Sequence, residues 1–267
     1  MESGSWIASE RFRPTATVRL FCFPYMGGGA SVYKDWADLL PDFVEVCALQ
    51  PPGREDRIHE PAILDKDQMF SEMIDVILAR SDKPFVFYGH SIGGGISIHL
   101  AEVLAQEYGK TPAHVMIGAL PHITRFPQAL TQLFGGIADE ITEDWVLDLL
   151  EKLEVAEFLR TDPEWVREVM PAISADAHIV KAMLDTQQTN NITESYPFPL
   201  TVFAGQTDSL YQKEHMLVWK NYLAGDRQIP VKFLPGGHLF ISERKPLKAL
   251  IKLVTEIVEH VNEEGGG

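Results

Sequence analysis

Six short apolar runs recur along the chain, at residues 18–23, 44–49, 85–88, 115–119, 200–203 and 231–234. Several are continuous rather than alternating, as expected of strands buried on both faces. Between them the apolar positions follow a helical period. Met69, Met73, Ile74, Ile77 and Leu78 share one face, as do Leu247, Leu250, Ile251, Val254, Val258 and Val261 near the C-terminus. Residues 92–108 also read as a helix. Strands alternating with helices predict an α/β fold with a mostly parallel sheet covered on both faces.

Between Pro121 and Pro199 the alternation stops. Three helix-like stretches replace it, at residues 144–150, 155–159 and 164–185, preceded by Gly135-Gly136 and closed by Pro197-Phe198-Pro199. An all-helical insertion after a central strand lies over the edge of the sheet that carries chemistry. Residues 122–198 are therefore expected to form a helical lid subdomain within a single domain spanning 1–267. Trp145, Phe158, Trp165, Val169 and Met183 supply its apolar surface, and core packing is the default role for each.

The charge narrows the partners. A formal net charge of −15 over 267 residues argues against nucleic acid and against anionic membrane surfaces. Arg244, Lys245, Lys248 and Lys252 form a local basic cluster, read as a solvated helix face or as a docking patch for an acidic partner. No segment approaches the roughly 18 apolar residues of a membrane span. Met1 to Thr17 lack the apolar core of a secretory signal, so a cytoplasmic protein is expected, in which Asn191-Ile192-Thr193 has no meaning as a glycosylation site. Cys22 and Cys47 both lie in strand-like runs and read as core thiols of a reducing compartment. Neither a metal nor a cofactor is implied by the His and Cys spacing, and a monomer is expected.

The candidate chemistry centres on Ser91, in Gly89-His90-Ser91-Ile92-Gly93. A serine with glycines two residues before and after it fits a sharp strand-to-helix turn, because a side chain at either glycine clashes with the crossing backbone. Such a turn raises the hydroxyl above the sheet and leaves the next amide free for an anion. A nucleophilic serine needs a base, and the base needs an orienting acid. In sheet-based hydrolases of this kind the chain order is Ser, acid, His. Asp208 follows the apolar run 200–203 and His238 follows 231–234, both just past strand ends, where open α/β sheets place their sites. Asp226 and Asp185 are fallback acids. Among the nine histidines, His90 reads as packing, His99 as core, and His122 as a pocket-wall residue that is not the base. Acyl transfer also needs an oxyanion hole. The Ile92 amide is one expected donor. The second is assigned to Met26, in Pro24-Tyr25-Met26-Gly27-Gly28-Gly29, with Tyr25 and Gly27 as alternatives. The glycine run matches neither Gly-x-Gly-x-x-Gly nor a loop ending in Gly-Lys-Ser/Thr, so it is not read as a phosphate cradle.

With these residues in place the chain resembles the stand-alone type II thioesterases that serve polyketide and nonribosomal peptide assembly lines. Phe23-Pro24-Tyr25-Met26-Gly27-Gly28 resembles that family's oxyanion loop, Phe-Pro-aromatic-Ala-Gly-Gly. Pro52-Gly53-Arg54 is similar to its Pro-Gly-Arg segment, and Gly89-His90-Ser91-Ile92-Gly93-Gly94 to its nucleophile turn, usually written with Met where Ile92 stands. Pro121-His122 resembles Ala-Pro-His, Ala175-Asp176 an Ala-Asp of the lid, and Gly236-Gly237-His238-Leu239-Phe240 the family's Gly-Gly-His-Phe-Phe. Met26 for a small residue and Leu120 for Ala are the departures. The resemblance implies the α/β-hydrolase fold. It also implies hydrolysis of acyl groups from the phosphopantetheine arm of an acyl or peptidyl carrier protein, through Ser91, His238 and Asp208. The residues alone leave open a small-molecule carboxylesterase or lipase, and a non-catalytic ligand-binding protein on the same scaffold.

Overall fold

The computed structural model describes residues 5–8, 13–122, 124, 142–153, 161–187, 195–224 and 226–265. The strands are β1 (Val18–Phe23), β2 (Val44–Ala48), β3 (Phe85–His90), β4 (His114–Gly118), β5 (Ser195–Tyr196), β6 (Leu200–Gly205), β7 (Leu223–Ala224), β8 (Arg227–Gln228) and β9 (Val231–Leu234). The helices are α1 (Trp36–Leu39), α2 (Lys66–Leu78), α3 (Ile92–Glu107), α4 (Glu143–Lys152), α5 (Pro163–Gln187), α6 (Lys213–Leu217) and α7 (Arg244–Gly265). All six expected strands form, two with the expected ends and four with ends shifted by one or two residues. The apolar pattern gives no sign of β5, β7 and β8, because two-residue strands are too short to carry one.

The main sheet has the order β2-β1-β3-β4-β6-β9, and every pairing in it is parallel. Double burial explains the apolar runs. Phe21, Phe23, Phe85, Phe87, Val115, Ile117 and Val202 join the core layer that contains α2 and α3. The residues alternating with them, Val18, Leu20, Cys22, Val86, Tyr88, Met116 and Phe203, pack with α7 and Trp36 on the other face. Each strand thus serves two layers with its period of two. The apolar stripe of α2 is buried through Met69, Met73, Ile74 and Ile77, and Asp65 caps that helix by accepting the Gln68 N–H at 2.7 Å. The stripe of α7 is buried through Leu250, Ile251, Val254, Val258 and Val261.

The strand order reverses between β1 and β3. The chain runs from β1 outward to β2 on one side, then returns to lay β3 on the other. Phe23 pairs with Gly89 at the carboxyl ends of these neighbours. The connections leaving β1 and β3 start side by side at this switch point, the place at which open α/β sheets bind ligands.

Two of the expected helices between Pro121 and Pro199 are present as α4 and α5, the latter running from residue 163 to 187. The stretch 155–159, Phe158 and Gly135-Gly136 lie outside the described residues. Trp145, Trp165, Val169 and Met183 are half-buried against the main core. Among the described residues no helix is long and apolar enough to cross a membrane.

Candidate active site

Ser91 stands where β3 passes into α3, with φ 53° and ψ −123°. A non-glycine residue at positive φ costs on the order of 1–3 kcal/mol, so the surroundings must impose it. A Cβ on Gly89 would sit 2.2 Å from the Gly93 carbonyl oxygen, and one on Gly93 would sit 2.3 Å from the Phe23 carbonyl oxygen. Only bare backbone therefore lets α3 cross β3 and the end of β1 so closely. The Ser91 N–H donates to the Gly118 carbonyl at 2.7 Å, and the Ser91 carbonyl accepts the Gly94 N–H at 2.9 Å.

The structure brings the three candidate side chains into one hydrogen-bonded chain. His238 Nε2 lies 3.0 Å from Ser91 Oγ, and His238 Nδ1 lies 3.0 Å from Asp208 Oδ2. A carboxylate only accepts, so Nδ1 carries the proton and Nε2 is left to accept the serine hydroxyl. The other Asp208 oxygen, Oδ1, accepts the backbone N–H groups of Leu210 and Tyr211 at 2.9 and 3.1 Å, which fixes the carboxylate plane. Gly205 is part of this arrangement, since a Cβ there would lie 2.3 Å from the Gly237 carbonyl oxygen and push the His238 loop away. The fallback acids Asp226 and Asp185 are not part of this chain.

The loop after β1 closes a turn, with the Gly28 N–H donating to the Tyr25 carbonyl at 2.9 Å. Gly27, third in that turn, has φ +76°, the value a type II turn requires. Ile92 is the first residue of α3, and its amide has no acceptor within the helix. Among the described residues neither the Met26 nor the Ile92 N–H has a hydrogen-bond partner. Both amides lie just past the carboxyl ends of the paired strands β1 and β3.

His90 does more than pack. Its ring is fully buried between Phe240 and Tyr88. Burial first, and then the neighbouring His238, push it down from 6.5 to about 3, so it is neutral. Its Nε2 lies 2.8 Å from the His238 carbonyl oxygen, and a carbonyl only accepts, so Nε2–H donates there. Nδ1 then accepts the Tyr88 hydroxyl at 3.1 Å. The residue beside the serine thus holds the backbone of His238, a long-range contact with no local sequence signal.

His122 is buried rather than lining an open wall. It stacks on Tyr222 at 3.5 Å, and its ring nitrogens lie 3.0 Å from Thr124 Oγ1 and 3.1 Å from the Tyr196 hydroxyl. Burial lowers it to about 4. It ties the loop after β4 to the small sheet formed by β5, β7 and β8. His99 is half-buried on α3 against the Phe70 ring, 4.5 Å away. Arg244, Lys245 and Lys248 lie in the first turns of α7 and Lys252 one turn further on, away from its buried stripe. An open polar cleft of about 500 Å³ includes Asp208, Gln206 and Lys213 but neither Ser91 nor His238. Among the described residues no group of His, Cys, Asp or Glu is arranged to hold a metal ion.

Residues 18–260 match the family model described as a thioesterase domain. The gramicidin S biosynthesis protein GrsT of Aneurinibacillus migulanus is 30% identical over 240 residues, 90% of this chain and 89% of that protein. The human medium-chain S-acyl fatty acid synthase thioesterase is 28% identical over 253 residues, 92% of this chain and 89% of that protein. Among solved structures, the type II thioesterase BorB from the borrelidin biosynthetic cluster superposes with a TM-score of 0.77 at 26% identity, covering 96% of this chain and 99% of its own. The chain therefore belongs to the thioesterase family of the α/β-hydrolase fold, as a serine-hydrolase thioesterase of the type II group.

Proposed function

We propose that this chain hydrolyses acyl thioesters carried on the phosphopantetheine arm of carrier proteins in a nonribosomal peptide or polyketide pathway. The uninterrupted hydrogen-bonded chain from Asp208 through His238 to Ser91 is the observation that carries this reading. Ser91 Oγ attacks the thioester carbonyl as His238 Nε2 takes its proton. The tetrahedral oxyanion is received by the amides of Ile92 and Met26, and Asp208 stabilises the imidazolium. Collapse expels the thiolate, which takes the proton from His238. Water then attacks the acyl-serine with His238 again as base, and Ser91 is restored. The pathway assignment is supported by the similarity to GrsT and BorB. In this reading residues 122–198 cover the site, with α5 over the loop after β1, and the cluster Arg244, Lys245, Lys248 and Lys252 meets the acidic face of the carrier. The protein works as a cytoplasmic monomer, so light scattering should return a mass near 29.9 kDa.

The test is a panel of carriers loaded with acetyl, medium-chain fatty acyl and aminoacyl groups, read by intact mass, beside the matching simple oxoesters. Wild type should clear acyl carriers in preference to oxoesters, and Ser91→Ala should leave only residual catalysis. Faster turnover of the oxoesters would make the chain a small-molecule esterase. Wild-type activity in Ser91→Ala would remove the nucleophile assignment.

A further inference from the structure

The loop that carries the Met26 amide is held from outside the sheet, by a carboxylate on α5. Asp176 Oδ2 accepts the Gly27 N–H at 2.7 Å, across 149 residues of sequence. The same oxygen accepts Arg54 Nη1 at 2.7 Å, and Asp176 Oδ1 accepts Arg54 Nη2 at 2.8 Å. Arg54 Nη1 also reaches the Gly28 carbonyl at 3.2 Å. One turn earlier on α5, Ile173 packs so tightly on Gly27 that a Cβ there would lie 2.7 Å from Ile173 Cγ1. Three segments distant in sequence, the loop after β1, the turn after β2 and the helix α5, therefore meet in one buried network.

We propose that Asp176 and Arg54 are positioning residues of the hydrolytic site, fixing the oxyanion loop so that the site is complete only while α5 is seated on it. This rests on the reading that Ser91 is the nucleophile and Met26 an oxyanion donor. Tyr25 to Gly28 form the turn, and its central peptide, between Met26 and Gly27, is the one that flips between type I and type II geometry. Asp176 accepts the N–H of that peptide and so selects the orientation with Gly27 at φ +76°. The flipped peptide would point the Met26 carbonyl at a carboxylate. The Tyr25–Met26 peptide, which carries the Met26 N–H, is braced at its other end by the Gly28 bond to the Tyr25 carbonyl. Stability alone does not call for this pair. Both side chains are about nine-tenths buried, and apolar residues of similar size commonly replace such buried pairs without loss of stability. What apolar residues cannot supply is an acceptor for the Gly27 N–H.

The experiment uses the full chain as Asp176→Asn, Asp176→Ala and the paired variant Arg54→Met/Asp176→Leu. Hydrolysis of an acyl-N-acetylcysteamine thioester is measured per Ser91 titrated with a fluorophosphonate. Binding of a trifluoromethyl ketone, which forms an oxyanion adduct on the serine, is compared with that of the matching methyl ketone. The expected result is a kcat lower by about 10-fold in Asp176→Asn and about 100-fold in Asp176→Ala, with KM within about threefold. Trifluoromethyl ketone affinity should fall in parallel while methyl ketone affinity holds. The paired apolar variant should melt close to wild type yet stay slow. Recovery of kcat together with the melting temperature in the paired variant overturns the proposal, as does a kcat per titrated serine within twofold of wild type in Asp176→Asn. Absence of fluorophosphonate labelling in the wild type is a different failure, because it removes the nucleophile reading itself.

Discussion

Replacing His90 with Asn removes a titrating group from the centre of the molecule, and the structure sets the size of the effect. The ring is fully buried, and burial together with nearby His238 lowers it from 6.5 to about 3. Between pH 6.5 and about pH 3 the unfolded chain binds a proton at this ring and the folded chain does not. The unfolded state then holds more protons, so stability falls as pH is lowered through that window and is fully retained above it. From these two values the loss attributable to His90, relative to pH 7, is about 1 kcal/mol at pH 5.5 and about 3 kcal/mol at pH 4. The amide of the variant cannot titrate. His99, His114 and His122, which are also lowered by burial, remain in both proteins and cancel in the comparison. Urea unfolding of wild type and His90→Asn at pH 7, 5.5 and 4 measures the difference directly, with the denaturant keeping the chain soluble near its pI of about 5.0. The variant carries a constant offset of about 1–3 kcal/mol from the His238 carbonyl left without its donor. On top of that offset, wild type should lose more stability with acid than the variant, by the amounts above. Two stability curves that run parallel from pH 7 to pH 4 would refute a neutral, buried His90.

Three further outcomes follow from the same geometry. Gly89→Ala should abolish activity and cost more than about 3 kcal/mol of stability by urea unfolding, since its Cβ would lie 2.2 Å from the Gly93 carbonyl oxygen and 2.6 Å from Gly94 Cα. Asp208→Asn should lower kcat by about 10³- to 10⁴-fold with KM little changed, because the amide can donate to Nδ1 and favour the wrong tautomer; kinetics with a carrier-bound acetyl group check this. Cys22 and Cys47 should resist an aromatic disulfide reagent at pH 8 in the folded protein and react only on unfolding. Both are buried and burial raises both, Cys47 to about 12, so almost no thiolate is present.

The main-sheet strands and the helices α2, α3 and α7 are legible in the sequence because their signal is local. A strand buried on both faces must be apolar at nearly every position, as residues 18–23 are, and a helix on one face must repeat its apolar residues every three to four. The turn at Ser91 is legible in part for the same reason, since Gly89 is required by a crossing only a few residues long, whereas Gly93 is required by the distant end of β1. The small sheet is not, because Leu223–Ala224 and Arg227–Gln228 are too short to show a period. A sequence reading can judge His90 and His122 only by their neighbours along the chain. Their actual partners are the His238 carbonyl and the Tyr196 hydroxyl, contacts that no local pattern encodes.

The sequence by itself determined the main-sheet strands, the principal helices and which residues bear reactive groups, since backbone conformation and side-chain chemistry are properties of short stretches. Only the tertiary structure decided which of those groups meet. The strand order sets the exits of β1 and β3 side by side, the loop after β9 brings His238 to Ser91, and the packing of α5 delivers Asp176 to Gly27 and Arg54. The physical reason is that a hydrogen bond of about 3 Å acts across space. Residues more than a hundred positions apart become neighbours only when the whole core assembles.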